Sequence, residues 1–366
     1  MRRFFLLTLL LLCLTAAQSS PAAQSFRPLD AQSQSFSVLG LFHPHELELQ
    51  PAGGIVLSVS SGEANTPLSL LNGEAAHRRT VFRAEGDRVV ANGLSGPRFV
   101  VTARDGSAVP FLLAVPGKLR RVYRGRLALT AHNGVLQAVV SMDRETAVAS
   151  IVAAEMPASA PLEALKAQAV VTRSFLAAGH VAGLAAGGRH AGYDFCDTTH
   201  CQFLRSPPAE SSAAGRAAEA TRGMVLAYHG EPLAAMYSSR CGGQTRSLRE
   251  AGLNAGDGYP YFPVLCAWCR RHPQSWQSRI PADGPAPRPG NEADRIRQAR
   301  QWGWSSLPGS DFTAARDGSE WIVDGQGMGH GVGMCQAGAI GMAASGAGFR
   351  EILRHYYPNT EIVRLP

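Results

Sequence analysis

"RRVYRGRLALTAHNGVLQAVVSMDRETAVASIVAAEMPASAPLEALKAQAVVTRSFLAAGH", Arg120 to His180, holds the change of texture that decides the fold. Its first third alternates apolar and polar residues on both sides of Asn133-Gly134, the strongest short-range signal for a β-hairpin. After Met142 the period lengthens. Val148, Ile151 and Val152 recur at helical spacing, Asp143 stands where a cap belongs, and Pro157 stops a helix running to about Met156. A second helix opens near Pro161 after Ser159, with Leu162, Leu165, Ala169 and Leu176 as its apolar face. Strands giving way to helices in one stretch predict an α+β chain: a β-rich N-terminal domain, then a mixed α+β domain.

Upstream, "FSVLGLF", "GIVLSVSSG", "TVFRAEGDRVVANG" and "RFVVTARDG" are short apolar stretches separated by turn residues, which places the β-rich domain at 36–118. Residues 18–35 are rich in Ser, Gln, Ala and Pro and read as a disordered linker. Residues 1–17 read as a secretory signal peptide: Arg2 and Arg3, an apolar run from Phe4 to Thr15, then Ala16-Ala17. The run is short for a span, and no later segment reaches about 18 uninterrupted apolar residues. The expectation is a secreted, periplasmic or cell-wall-associated protein with no membrane span after signal cleavage. Residues 119–366 form the second domain. They add a helix at "AAGRAAEATRG", a strand at "MVLAYHG", a loop-rich region with prolines clustered at 281–289, then strand, Gly-rich turn, two helices and a final strand.

The chain carries 35 Lys and Arg against 28 Asp and Glu, and losing Arg2 and Arg3 leaves it near +5. That mild excess suits an anionic polymer such as cell wall. No basic run is interleaved with aromatics, so nucleic acid is not expected.

Glu155 lies seven residues beyond Val148, which puts a carboxylate on the face to be buried, in the last turn of its helix. Burial and the negative helix end both raise its pKa, as a general acid at neutral pH requires. The competing reading turns it outward to pair with an arginine. "RHAGYDFCDTTHCQFL", 189–204, offers His190, Cys196, His200 and Cys201 as a closed four-ligand zinc site. Three of them with water would make a hydrolase, and a Cys196–Cys201 disulfide is the alternative. Asp194 and Asp197 flank Cys196 and are the candidates for a second carboxylate or a substrate contact. "GQGMGHGVGMCQ" fits neither G-x-G-x-x-G nor a phosphate loop; His330 in its middle is either a substrate-contacting group or a structural one. "YSSRCGGQT" sets Ser238 and Ser239 outside any G-x-S-x-G elbow. Cys241, Cys266, Cys269 and Cys335 allow two disulfides, a second thiolate metal site, or a mixture.

"VAAEMPASAPLEALKAQAVVTRSFL", "YDFCDTTHCQFL", "TRGMVLAYHGEPLAAMYSSRCGGQT" and "GQGMGHGVGMCQAGAIGMAASGAGFREILRHYYPNTEI" occur in that order, and over residues 120–366 they resemble the stage II sporulation protein D and amidase-enhancer family (SpoIID/LytB). The resemblance implies a domain with a substrate groove and an activity on peptidoglycan. Carried over, Glu155 is the catalytic acid/base, His190, Cys196, His200 and Cys201 hold a structural zinc, and Ser239, Gly242, Gly243, His330 and Gln336 line the groove. The implied reaction is lytic transglycosylation of denuded MurNAc–GlcNAc strands, ending in 1,6-anhydro-MurNAc. It needs one carboxylate, where hydrolytic glycosidases generally use two. The alternatives are a non-catalytic cell-wall-binding activator of an amidase and a zinc-dependent cell-wall amidase or peptidase. Members often carry serine where Cys241 and Cys335 stand, so two thiols in neighbouring groove motifs are expected to meet or share a metal.

Overall fold

The computed structural model describes residues 33–52, 57–61, 79–103, 107–179, 190, 192–198, 201–253, 258–284 and 286–365. The expected signal peptide, and the expected linker up to residue 32, lie outside them. From Ser33 the chain is already a strand.

Ten strands come first: β1 (Ser33–Val38), β2 (Glu46–Pro51), β3 (Leu57–Ser61), β4 (Thr80–Glu85), β5 (Arg88–Ala91), β6 (Leu94–Gly96), β7 (Arg98–Ala103), β8 (Val109–Val115), β9 (Leu119–His132) and β10 (Val135–Asp143). Helices α1 (Arg144–Glu155) and α2 (Leu162–Ala178) follow, then β11 (Phe195–Cys196). Among the described residues these eleven strands form one sheet, β11-β1-β10-β9-β8-β2-β4-β5-β6, with β7 pairing β9 and β3 beyond it. Helices come later, so the α+β reading holds.

β9 is the hub. Its first half, Leu119 to Gly125, pairs with β8, while Leu127 to Thr130 pairs with β7 and Arg126 to His132 with β10. The switch falls at Gly125, where a Cβ would sit 2.3 Å from the Ser141 carbonyl oxygen. Only glycine lets the two backbones approach so closely at this corner. Gly125→Ala is expected to destabilise the protein by about 1–3 kcal/mol, as overpacking does. Urea denaturation reads it; an unchanged midpoint would refute the corner's role. Asn133 and Gly134 close the β9–β10 hairpin with φ of 49° and 77°, the left-handed pair that a two-residue turn demands.

The expected boundary at 118/119 falls inside the β8–β9 ladder, and one core runs across it. Phe36, Phe82, Phe111 and Val140 from the sheet pack with Val148, Ile151, Leu165 and Leu176 from the helices. Asp143 caps α1, accepting from the Glu145 and Thr146 amides at 3.0 and 3.1 Å. The helix ends as Met156 turns extended ahead of Pro157.

α2 is buried on two sides. Leu165, Ala169 and Leu176 face the first core, and Ala167, Val170 and Val171 face a second. Leu162, expected on the buried face, is 38% exposed at the helix start. The second core gathers α3 (Ala213–Ala220)'s successor strands β12 (Met224–Tyr228), β13 (Glu231–Pro232) and β14 (Tyr237–Ser238) with α4 (Ala267–Arg271). The region read as loop-rich holds β15 (Ser275–Pro281), α5 (Glu292–Trp302) and β16 (Asp311–Asp317). With β17 (Glu320–Gln326) they form a three-stranded sheet over a small core of Ile280, Ala299, Leu307, Phe312 and Val323. The prolines mark only its connecting segment. The chain ends with β18 (Met334–Cys335), α6 (Gln336–Ala344), α7 (Phe349–Tyr356) and β19 (Glu361–Arg364), which pairs with β12. No helix among the described residues is long and apolar enough to cross a membrane.

Candidate active site and metal loop

Val148, Ile151 and Val152 on α1 are fully buried, and Glu155 continues their stripe into a cleft of about 310 Å³. Its Oε1 accepts a hydrogen bond from the Phe203 amide at 3.0 Å, and the Tyr237 hydroxyl bonds the same carboxyl group. Burial outweighs these bonds and pushes the carboxyl above the usual range. Among the described residues Glu155 has no ion-pair partner, so it is held inward rather than turned out to an arginine. Burial also lifts the Tyr237 phenol well above its ordinary value, which keeps it protonated and able to donate.

The end of α1 is pinned by amides. Gln336 Nε2 donates to the Glu155 carbonyl and to Gln168 Oε1, both at 3.3 Å. Three helices thereby fix the position of one carboxyl group. The other acid in the cleft wall, Glu292, is tied to Arg295 through two bonds of 2.5 and 2.8 Å. A larger hollow, about 760 Å³, lies beside α1 and α3, but its Glu145, Lys166, Glu219 and Arg222 are already committed to ion pairs. The smaller cleft is the one that holds Glu155.

Ser239 is exposed at the cleft rim, and Gln336 and His330 line the interior. His330 Nδ1 accepts from the Val332 amide at 3.0 Å, and its ring also bonds the Tyr237 main chain. Burial lowers its pKa, so it is a neutral tie between the Gly-rich turn and β14. Gly242 and Gly243 do not reach the cleft; Gly242 faces Gln326 and Asp311, and Gly243 faces Arg270. Their positive φ values of 73° and 125° turn the chain just after Cys241. Cys241 itself gathers with Cys266, Cys269 and Cys335 in a buried cluster.

In the other loop, His190, Cys196 and Cys201 bring their donor atoms within 4.8 Å of one another. His190 Nε2 lies 3.3 Å from Cys201 Sγ, and the two sulfurs are 3.5 Å apart. That separation is far beyond the disulfide length of about 2.05 Å, while imidazole and thiolates are the donors zinc takes. The donors therefore fit the metal. His200 lies outside the described residues. One end of the loop is hydrogen-bonded to the sheet through the parallel β1–β11 pair, and the other brings the Phe203 amide to Glu155 and Gln202 to the cleft wall.

Asp194 and Asp197 do not line the Glu155 cleft; they tie the loop to the sheet edge. Asp194 Oδ2 accepts from the Ser35 amide and hydroxyl, both at 2.8 Å. Asp197 Oδ2 accepts from the Leu39 amide at 3.2 Å and from Arg121 at 3.0 Å, and burial raises its pKa.

Tyr237 and Gln202 were not foreseen as site residues. Tyr237 opens the "YSSRCGG" motif and its signal was an aromatic hydroxyl beside small polar residues. Gln202 directly follows Cys201 and is 2% exposed, yet neither its amide oxygen nor its nitrogen has a partner among the described residues. The buried Ser238 hydroxyl is also unpartnered in the same cleft. Buried polar atoms left this way mark where a ligand or water bonds.

The family model described as Stage II sporulation protein (SpoIID) matches residues 132–228. An uncharacterized protein of Brachyspira hyodysenteriae is 27% identical over 66% of this chain and 72% of its own length. Stage II sporulation protein D of Bacillus subtilis is 28% identical over 62% of this chain and 76% of its own. The Amidase enhancer of Bacillus subtilis is 26% identical over 57% of this chain, which spans only 39% of that protein. The chain thus carries a SpoIID domain at residues 132–228, and that domain contains Glu155 and the whole histidine–cysteine loop.

Proposed function

We propose that the protein acts outside the cytoplasm on the bacterial cell wall, as a lytic transglycosylase with Glu155 as its single acid/base. One observation carries the reading: a buried carboxyl group with a raised pKa and, among the described residues, no ion pair, in a cleft whose other acid is neutralised by arginine. Protonated Glu155 donates to the glycosidic oxygen as the bond from that oxygen to C1 of MurNAc breaks. The carboxylate left behind is stabilised by the Phe203 N–H and the Tyr237 O–H. It then takes the proton from the sugar's own C6 hydroxyl, whose oxygen bonds to C1. The product is 1,6-anhydro-MurNAc; no water and no enzymic nucleophile enter. A hydrolytic pair would need a second free carboxylate about 5–9.5 Å away.

Zinc, when bound by His190, Cys196, His200 and Cys201, would cross-link the loop, since four protein ligands leave no open position for chemistry. The loop's own residues then present the Phe203 amide and the Gln202 side chain to the cleft.

Wild-type protein should release anhydro-ended fragments from denuded strands, read by mass. The name of the Amidase enhancer relative favours a second reading, an activator of a wall amidase. Strand binding with no product from denuded or intact peptidoglycan would establish that reading and remove the first.

Gln202 is proposed as a contact to the sugar's amide or hydroxyl groups. Gln202→Met keeps the volume and removes both unpartnered atoms. KM on denuded strands should rise about 2- to 12-fold, the worth of one net hydrogen bond, with Tm unchanged or higher. A lower Tm with unchanged KM would make Gln202 structural.

A further inference from the structure

We propose that Cys241, Cys266, Cys269 and Cys335 bind a second zinc ion, held by four thiolates, which locks the cleft wall carrying Tyr237, Ser239 and Gln336. The four sulfurs all lie within 4.8 Å of one another, and Cys269 and Cys335 are 3.5 Å apart. In a tetrahedral site with Zn–S bonds of about 2.3 Å, every sulfur–sulfur edge is about 3.8 Å. Two disulfides would instead split the set into pairs at about 2 Å. Four unpaired sulfurs, all within 4.8 Å of one another, fit the corners of a tetrahedron.

The four side chains are 0–7% exposed and come from three separate parts of the chain. Cys241 follows β14, Cys266 and Cys269 bracket the first turn of α4, and Cys335 ends β18. Donors that suit thiolates surround them. The Gly338 amide donates to Cys335 Sγ at 3.4 Å, and the Tyr356 hydroxyl lies 3.4 Å from Cys266 Sγ. Cys335 also caps α6, whose positive end favours a thiolate. A Cβ at Gly338 would stand 2.6 Å from Cys266 Sγ, so the backbone of α6 comes right up to the cluster.

The position gives the site its role. β14 and β18 pair in parallel, Tyr237 opposite Met334 and Ser238 opposite Cys335, and Gln336 is the next residue. This two-residue ladder is too short to hold its register alone. A metal joining Cys335 to Cys241 and to α4 fastens both strands behind the groups that contact Glu155. This site is distinct from the histidine–cysteine loop and stands whether or not the protein cleaves glycan.

Zinc per chain, measured by elemental analysis and native mass spectrometry on full-length protein purified without reductant or chelator, decides the matter. Two zinc ions are expected in the wild type, with all six cysteines after residue 17 alkylated once the denatured protein is stripped of metal. The Cys196→Ser/Cys201→Ser variant should keep one zinc. The Cys266→Ser/Cys269→Ser variant should lose one and keep the other. One zinc or none in the wild type overturns the proposal, whether the four cysteines are found as disulfides, as thiols or on iron. So does a Cys196→Ser/Cys201→Ser chain with no zinc. The wild-type count stands even if a cysteine variant fails to fold, and it does not depend on activity.

Discussion

Glu155→Gln is expected to lower release of anhydro-ended fragments by at least 10²–10⁴-fold, the usual range for a lost general acid, and more if both proton transfers fail. Full activity in this variant would end the assignment. The raised pKa adds two signatures. The acid form is the donor, so wild-type activity should persist above the ordinary carboxylate range and fall as pH rises through the folded-state pKa. Stability follows the same sign. A carboxyl raised in the folded state contributes its full stability below the unfolded value of about 4.3 and loses it as pH rises through the folded value. Glutamine carries no such penalty. Glu155→Gln should therefore match or exceed the wild type in Tm at neutral pH, with any difference shrinking toward acid. A variant less stable at neutral pH would show that Glu155 is held as a structural anion.

Arg173→Ala should destabilise the protein by about 3–5 kcal/mol, the cost of stripping one partner from a buried pair. Arg173 is fully buried on α2. It grips Glu145 of α1 through two bonds of 2.7 and 2.6 Å and donates to the Ala218 and Met224 carbonyls at 3.2 and 3.0 Å. One guanidinium thus joins α1, α2, the end of α3 and β12. Urea denaturation of the single variant and of Arg173→Met/Glu145→Gln should show the double variant recovering part of the loss, because the stranded carboxylate is gone. Equal loss in both would assign the effect to packing alone.

Local periodicity made much of the fold legible. The Asn133-Gly134 hairpin, α1 with its Asp143 cap, and α2 are set by residues close in sequence, and each forms where its pattern lies. The three-stranded sheet with α5 was hidden because β15 and β16 are more exposed than buried and show little apolar alternation. The forked pairing of β9 was hidden because a strand's partners are not written in its own alternation. In the site, metal-type side chains announced themselves, and serine-to-cysteine positions pointed to a shared thiol cluster. Asp194 and Asp197 misled, since a carboxylate serving backbone amides looks the same in sequence as one serving a substrate. Tyr237 and Gln202 became visible only once the chain returned to α1 from far away.

That return has a kinetic consequence. The amide bridge from Gln336 reaches back 181 residues to Glu155, and Asp194 reaches back 159 to Ser35. Contacts of such high order form late and slowly, after the local hairpin and helices. A partly folded chain therefore has no finished cleft, however well its first helices have formed. The cleft closes only when Tyr237 and Gln336 have packed back onto the end of α1.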